Sequence, residues 1–278
     1  MRQVAVGEST YAVDVAGRGP PVLLLHGFPQ DHTCWRHVAV ALAADHTVVA
    51  PDLKGVGESE APRGGALGEG YSKREIAAEL VDVMAQLGHE RFAVVGHDRG
   101  ARVAYRMALD HAGRVTRLCV LNVVPTVEQF DRLDPDSALE YWPFLMLAQP
   151  PPFAEQLIGA AAEHVVRHVH GAWAAAAIEP RAVEHYVSVF TPATIAAWCA
   201  DYRAAFHLDR ALDGTDRKDR RTIGCPVLVH WGASEGEDSM LPIWERWAAD
   251  VRGEALPGGH FIPEEAGDAL VASLRRFL

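Results

Sequence analysis

The run Gly96-His97-Asp98-Arg99-Gly100 stands between an apolar stretch, Phe92-Ala93-Val94-Val95, and a segment with helical signal, Ala101–Leu109. Two glycines bracketing one charged residue, with a strand before and a helix after, mark a sharp turn that lifts its central side chain above a sheet. Gly96 and Gly100 supply the room that the turn and the strand–helix packing require. The central residue is Asp98. A carboxylate attacking a carboxylic ester would form an anhydride, an uphill product. Attack on a saturated carbon that carries a leaving group forms a stable alkyl ester instead. Water can then cleave that ester at its acyl carbon, which is the Asp98 carboxyl itself. The residue type therefore points to displacement at an sp³ carbon, meaning carbon–halogen or epoxide cleavage, and away from ester hydrolysis.

A base is needed to activate the water. His260, in the glycine-rich Gly258-Gly259-His260-Phe261 near the C-terminus, is the candidate. The backbone N–H groups of Phe28, in His26-Gly27-Phe28-Pro29-Gln30, and of Arg99 are expected to converge on Asp98 as an oxyanion hole. His26 reads as a structural, hydrogen-bonded histidine. The acid that orients His260 has two candidate locations. Asn122 follows the apolar run Leu118–Val123, but an amide cannot stabilise imidazolium as a carboxylate does. Glu235 follows Val227–Trp231, with Glu237 and Asp238 close behind, and is the choice made here. Arg99 and Arg102 lie three apart, one helical turn, so both can face the pocket beside Asp98. Two guanidiniums there suit a small anionic substrate whose carboxylate they would hold by charge-assisted hydrogen bonds.

These residues need a frame. Short apolar runs at Val22–Leu25, Thr47–Ala50, Phe92–Val95, Leu118–Val123 and Val227–Trp231 read as strands. Helical segments are expected at Ser72–Leu87, where Ser72 and Glu75 form a capping box and Gly88 a stop, at Ala101–Leu109 and at Asp268–Phe277. Continuous apolar strands separated by helices imply an α/β fold, a mostly parallel sheet with helices on both faces. Between about Pro125 and Arg221 no strong strand run appears. This stretch is expected to be a mostly helical lid over the C-terminal edge of the sheet. The domain reading is residues 1–124 for the first part of the core, 125–221 for the lid and 222–278 for the second part of the core.

The 278 residues are 49% hydrophobic and 23% charged, enough apolar material for a sizeable core. A net charge of -11 with no Lys/Arg-rich run argues against nucleic-acid or anionic-membrane partners. Cys34, Cys119, Cys199 and Cys225 form no CxxC pair and read as buried free thiols. No secretory signal or membrane span is visible, so a cytoplasmic location is expected. No phosphate-binding glycine loop or credible metal set occurs, and no cofactor is expected. His164, His168 and His170 read as a solvated helix face rather than a metal site. The apolar lid is compatible with a homodimer.

The chain resembles the haloacetate and fluoroacetate dehalogenase branch of the α/β-hydrolases. The likeness is carried by His26-Gly27-Phe28-Pro29-Gln30, Gly96 to Arg102, Leu147-Ala148-Gln149-Pro150, Pro180 to Tyr186, Asp201-Tyr202-Arg203 and Gly259-His260-Phe261. It implies the α/β-hydrolase fold with a lid, and displacement of halide by Asp98 followed by ester hydrolysis with His260 as base. It implies carboxylate binding by Arg99 and Arg102, and a Tyr202 that donates to the departing halide. Two departures stand out. The family's triad aspartate falls on Asn122. The family's His-Trp halide pair falls on Pro143-Phe144, with Trp142 adjacent and able to offer an indole N–H. Loss of those donors bears hardest on fluoride release. The HGFP and GHDxG features are shared with epoxide hydrolases. Epoxide opening with the same Asp98 and His260, and with Tyr202 and Tyr141 as acids, is the alternative, and a non-catalytic binding protein on the same scaffold is a third reading.

Overall fold

The computed structural model describes residues 1–235 and 239–278, with the Glu235 side chain outside the described part. Eight strands form one sheet. They are β1 (Arg2–Val6), β2 (Ser9–Gly17), β3 (Pro21–Leu25), β4 (Thr47–Pro51), β5 (Phe92–His97), β6 (Val115–Leu121), β7 (Val227–Gly232) and β8 (Val251–Leu256). Their order across the sheet is β1-β2-β4-β3-β5-β6-β7-β8. β2 pairs antiparallel with both β1 and β4, and every other pair is parallel. The five strands expected from apolar runs are all present in the middle of this sheet. The runs did not reveal β1, β2 and β8. β1 and β8 are the edge strands, with one side toward solvent, so their residues alternate instead of forming a continuous apolar run.

β5 and β7 are buried at every position, which requires cover on both faces of the sheet. Helices α1 (Arg36–Leu42), α2 (Lys73–Gln86) and α3 (Arg99–Asp110) follow β3, β4 and β5. α2 begins with the expected capping box: the Ser72 side chain accepts from the Glu75 N–H and Glu75 reaches back to the Ser72 N–H. Gly88 closes it at φ +87°.

Between β6 and β7 the chain is helical, with no strand in that interval. The helices of this interval are α4 (Thr126–Asp131), α5 (Pro135–Glu140), α6 (Trp142–Met146), α7 (Phe153–Ala160), α8 (Ala162–Trp173), α9 (Pro180–Val189), α10 (Pro192–Ala204) and α11 (Arg210–Lys218). α10 runs into α11 through a π-helical turn, Ala205–Asp209. Among the described residues two short helices, α12 (Leu241–Trp244) and α13 (Ile262–Glu265), and the longer α14 (Gly267–Phe277) follow, the last packed against α1. Cys34, Cys119 and Cys199 are buried free thiols, and Cys225 is half-buried. No helix among the described residues is long and apolar enough to cross a membrane.

Candidate active site

Asp98 sits at the turn from β5 into α3 with φ 47° and ψ −116°, a conformation that only a tight structural constraint holds in a non-glycine residue. The neighbouring glycines explain how the turn fits. A Cβ on Gly96 would stand 2.5 Å from the Ala101 Cα, and one on Gly100 would stand 2.3 Å from the His26 carbonyl oxygen. Gly27 faces Asp98 itself, where a Cβ would lie 2.5 Å from that of Asp98.

The Asp98 carboxylate has one oxygen held and one turned to the histidine. The Phe28 N–H donates to Oδ1 at 2.9 Å. Oδ2 lies 3.8 Å from His260 Nε2. Burial would raise the Asp98 pKa, but His260 and Arg99 outweigh it, and the net shift is downward. The Asp98 carboxyl is therefore ionised at neutral pH. The Arg99 N–H, the second expected donor, makes no hydrogen bond to this carboxylate among the described residues. His26 plays the structural part expected of it, accepting from the Leu53 N–H at Nε2 over 2.8 Å.

The loop that carries His260 is fixed on several sides. The His260 N–H donates to the Trp173 carbonyl at 2.9 Å, and the His260 carbonyl accepts from His97 Nε2 at 2.7 Å. Burial, with His260 beside it, pulls the His97 pKa down to about 3, so this ring is a neutral strut. Glu265 was not singled out in the sequence. Its carboxylate accepts from Gly259 N at 3.0 Å and Phe261 N at 2.9 Å, and from Ala175 N at 2.7 Å just past α8. One side chain thus ties the histidine loop to the end of α8. Its place five residues after His260 was the only available signal.

Asn122 follows β6 at φ 59°, where Asn is better tolerated than most residues. Its Nδ2 reaches the Gly259 carbonyl at 3.5 Å. The turn Ala233–Glu235 follows β7, and Ser234 donates from its N–H and its hydroxyl to the Gly258 carbonyl. The side chain of Glu235, together with Glu237 and Asp238, lies outside the described residues.

The arginines divide their work. The Arg99 side chain is fully buried; its Nε donates to Asp201 Oδ1 at 2.6 Å. Its guanidinium carbon lies 4.1 Å from the Tyr202 ring centre. Burial opposes its charge, but Asp201 and its other acidic neighbours raise the pKa above the ordinary arginine value. Arg102 lines the cavity above Asp98, donating from Nη1 to the Val124 carbonyl at 2.9 Å. Burial, with Arg99 alongside, lowers its pKa. Nη1 of Arg99 and Nε of Arg102 are buried with no hydrogen-bond partner among the described residues. Buried donors of this kind are costly unless an acceptor meets them, and charged donors most of all. Behind Arg99, Asp201 Oδ2 also accepts from Lys73 Nζ at 2.6 Å, and the Lys73 N–H donates to Asp209 in the π-helical turn. π-helical insertions often occur at functional sites, and this one puts Asp209 within reach of Lys73.

Tyr202 is buried and lines the same cavity. Burial and the nearby Asp98 push its pKa well above the ordinary tyrosine value, which keeps its hydroxyl a donor. Phe144 packs against both Tyr202 and Arg102, 5.4 Å from the Tyr202 ring and 5.1 Å from the Arg102 guanidinium carbon. Tyr141 also lines the cavity. Trp142 packs half-buried against the core and is not among the cavity-lining residues.

Two histidine clusters lie elsewhere. His164 and His168 stack on the exposed face of α8, and His170 is buried with Nδ1 bonded to the Val166 carbonyl. Asp31, His32 and Asp52 bring ligand-type atoms within 4.8 Å of one another. Those groups already have partners: Asp52 bonds His32 Nδ1 at 2.7 Å, and Asp31 bonds His185 Nε2, from outside the group, at 2.6 Å.

The alpha/beta hydrolase fold family matches residues 20–266 of the chain. A fluoroacetate dehalogenase from Burkholderia sp is 40% identical over 100% of this chain and 93% of its own length. A soluble epoxide hydrolase from Corynebacterium sp. (strain C12) is 31% identical over 94% of this chain and 91% of its own. A crystal structure of an alpha/beta hydrolase from Nostoc sp PCC 7120 superposes with a TM-score of 0.95 at 42% identity, covering 99% of this chain and 96% of that one.

Proposed function

The chain belongs to the α/β-hydrolase family, and on that premise we propose that it is a hydrolytic dehalogenase of small 2-haloacids. Asp98 Oδ2 attacks the α-carbon; the carbon–halogen bond breaks, halide departs with its electron pair, and an alkyl ester of Asp98 forms. His260 then takes a proton from water, and the resulting hydroxide adds to the ester's carbonyl carbon. The ester carbonyl oxygen, derived from Oδ1, gathers negative charge at the Phe28 N–H. Collapse breaks the bond to the alkoxide, which is protonated by the imidazolium, giving a 2-hydroxy acid and free Asp98.

The observation that carries this reading is the pairing of an ionised Asp98 with Arg102 on the same cavity wall, where the buried Arg102 Nε keeps no partner among the described residues and Arg99 adds its charge from beneath Tyr202. A substrate carboxylate is the acceptor Arg102 fits, and it would fix the α-carbon against Asp98. The acid we assign to His260 is Glu235. Support comes from Ser234, which binds the backbone of its turn to the histidine loop at Gly258. Tyr202 is assigned the departing halide.

A second reading, epoxide opening, rests on Tyr141 and Tyr202 both lining the cavity, where a phenol could protonate the ring oxygen. Halide release separates the two. Chloroacetate and bromoacetate are expected to release halide, and fluoroacetate more slowly than either, because Phe144 offers no hydrogen bond to fluoride. Asp98→Ala should lower the rate by about 10⁴-fold or more. No halide from any of the three acids, with epoxides opened to diols, would replace the first reading with the second.

A further inference from the structure

The site is larger than the smallest acids that its chemistry fits. The cavity at Asp98 measures about 280 Å³. That is many times the space a single water needs. A haloacetate has only five non-hydrogen atoms and leaves part of it unfilled.

The contacts give the cavity two ends. Arg102, Phe144 and Tyr202 pack on one another at one end. His260 and Trp173, with ring centres 5.1 Å apart, form the other. Asp98 lies between. A carboxylate at the arginine end leaves the histidine end free. Among the described residues the wall there is made of Ala172, Trp173, Ala174, Ala175 and Ser234, which bring no charged side chain. Ala172 and Ala175 are exposed, so this end opens toward solvent. Glu140 is exposed on the cavity rim, and the whole chain carries a net charge of -11, so a second carboxylate on the substrate would be repelled.

We propose that the preferred substrates are 2-haloalkanoates that carry an uncharged alkyl chain on the α-carbon, lying along Trp173, Ala174 and Ala175. This rests on the dehalogenase reading above and uses the same displacement at the α-carbon. Each methylene that leaves water against this wall should raise kcat/KM by up to about fourfold.

The test is bromide release from 2-bromopropanoate, 2-bromobutanoate and 2-bromohexanoate, each enantiomer separately, with bromosuccinate and bromoacetate alongside. The first three share a secondary α-carbon, so their intrinsic reactivities match. In the faster enantiomer series kcat/KM is expected to rise from propanoate to hexanoate, with bromosuccinate at least about tenfold below 2-bromobutanoate. Ala175→Trp, which fills the open end, should reverse the hexanoate-to-propanoate ratio. Bromide from bromoacetate with a falling series, or with bromosuccinate equal to 2-bromobutanoate, would overturn the inference and leave the dehalogenase reading standing. No bromide from any acid, bromoacetate included, would overturn both.

Discussion

His260→Gln, given chloroacetate, is expected to release one equivalent of chloride per enzyme and then stop. The first half-reaction needs only the ionised Asp98 and a departing halide. The second needs a proton removed from water, and a positioned base contributes about 10²- to 10⁴-fold to such a step. With that base gone the ester accumulates. The protein should gain the mass of one carboxymethyl group, located on the peptide that contains Asp98. His260 is suited to the task because it does not compete with the first step. Its Nε2 stands 3.8 Å from Asp98 Oδ2, close enough to reach a water over the ester carbon, while its loop is held by Trp173 and His97. Continued turnover by this variant at the wild-type rate would remove His260 from the role of base.

Asp201→Ala is expected to have the largest effect on stability. The carboxylate is buried and serves two buried cations, Arg99 at 2.6 Å and Lys73 at 2.6 Å. Removing it leaves two like charges facing each other with the Asp209 carboxylate 3.5 Å from Lys73 as the remaining neighbour. Breaking a buried pair by deleting one partner costs about 3–5 kcal/mol. That loss should appear as a lower midpoint in urea unfolding, and Asp201→Ala combined with Lys73→Met should recover part of it. KM for the haloacid should rise as well, since Arg99 loses the contact that holds it under Tyr202, which lines the cavity. A midpoint unchanged by Asp201→Ala would show that the network carries little energy.

Much of this site was legible before any coordinates. The elbow was readable because only glycine fits at positions 96 and 100, and a glycine pair around Asp98 at a strand–helix junction has few other uses. Asp itself restricts the chemistry. His260 was readable from its glycine-rich loop and its place after the last recognised strand. The central strands were plain as continuous apolar runs, while β1 and β8 were hidden because an edge strand needs no such run. Position along the chain could not separate Arg99 from Arg102. One turn apart, they were expected to share a cavity wall, yet Asp201, about a hundred residues away in sequence, draws Arg99 beneath Tyr202 and leaves Arg102 at the surface of the cavity. Trp142 and Phe144 pose the same difficulty. α6 is a short helix, and which of its residues turns inward depends on what Tyr202 and the arginines present to it, so Phe144 takes the place beside them. Glu265 and Lys73 act through backbone N–H groups and a buried carboxylate, and such partners leave no local pattern.

The central claim is that water cleaves the ester at the Asp98 carboxyl and not at the substrate's carbon. A single turnover of chloroacetate in oxygen-labelled water, with enzyme in excess, tests it most directly. The account predicts label in the Asp98 carboxylate and none in the hydroxyl of the glycolate released. Label in the glycolate hydroxyl after one turnover, with Asp98 unlabelled, would mean that water displaces the halide itself and that Asp98 is not the nucleophile.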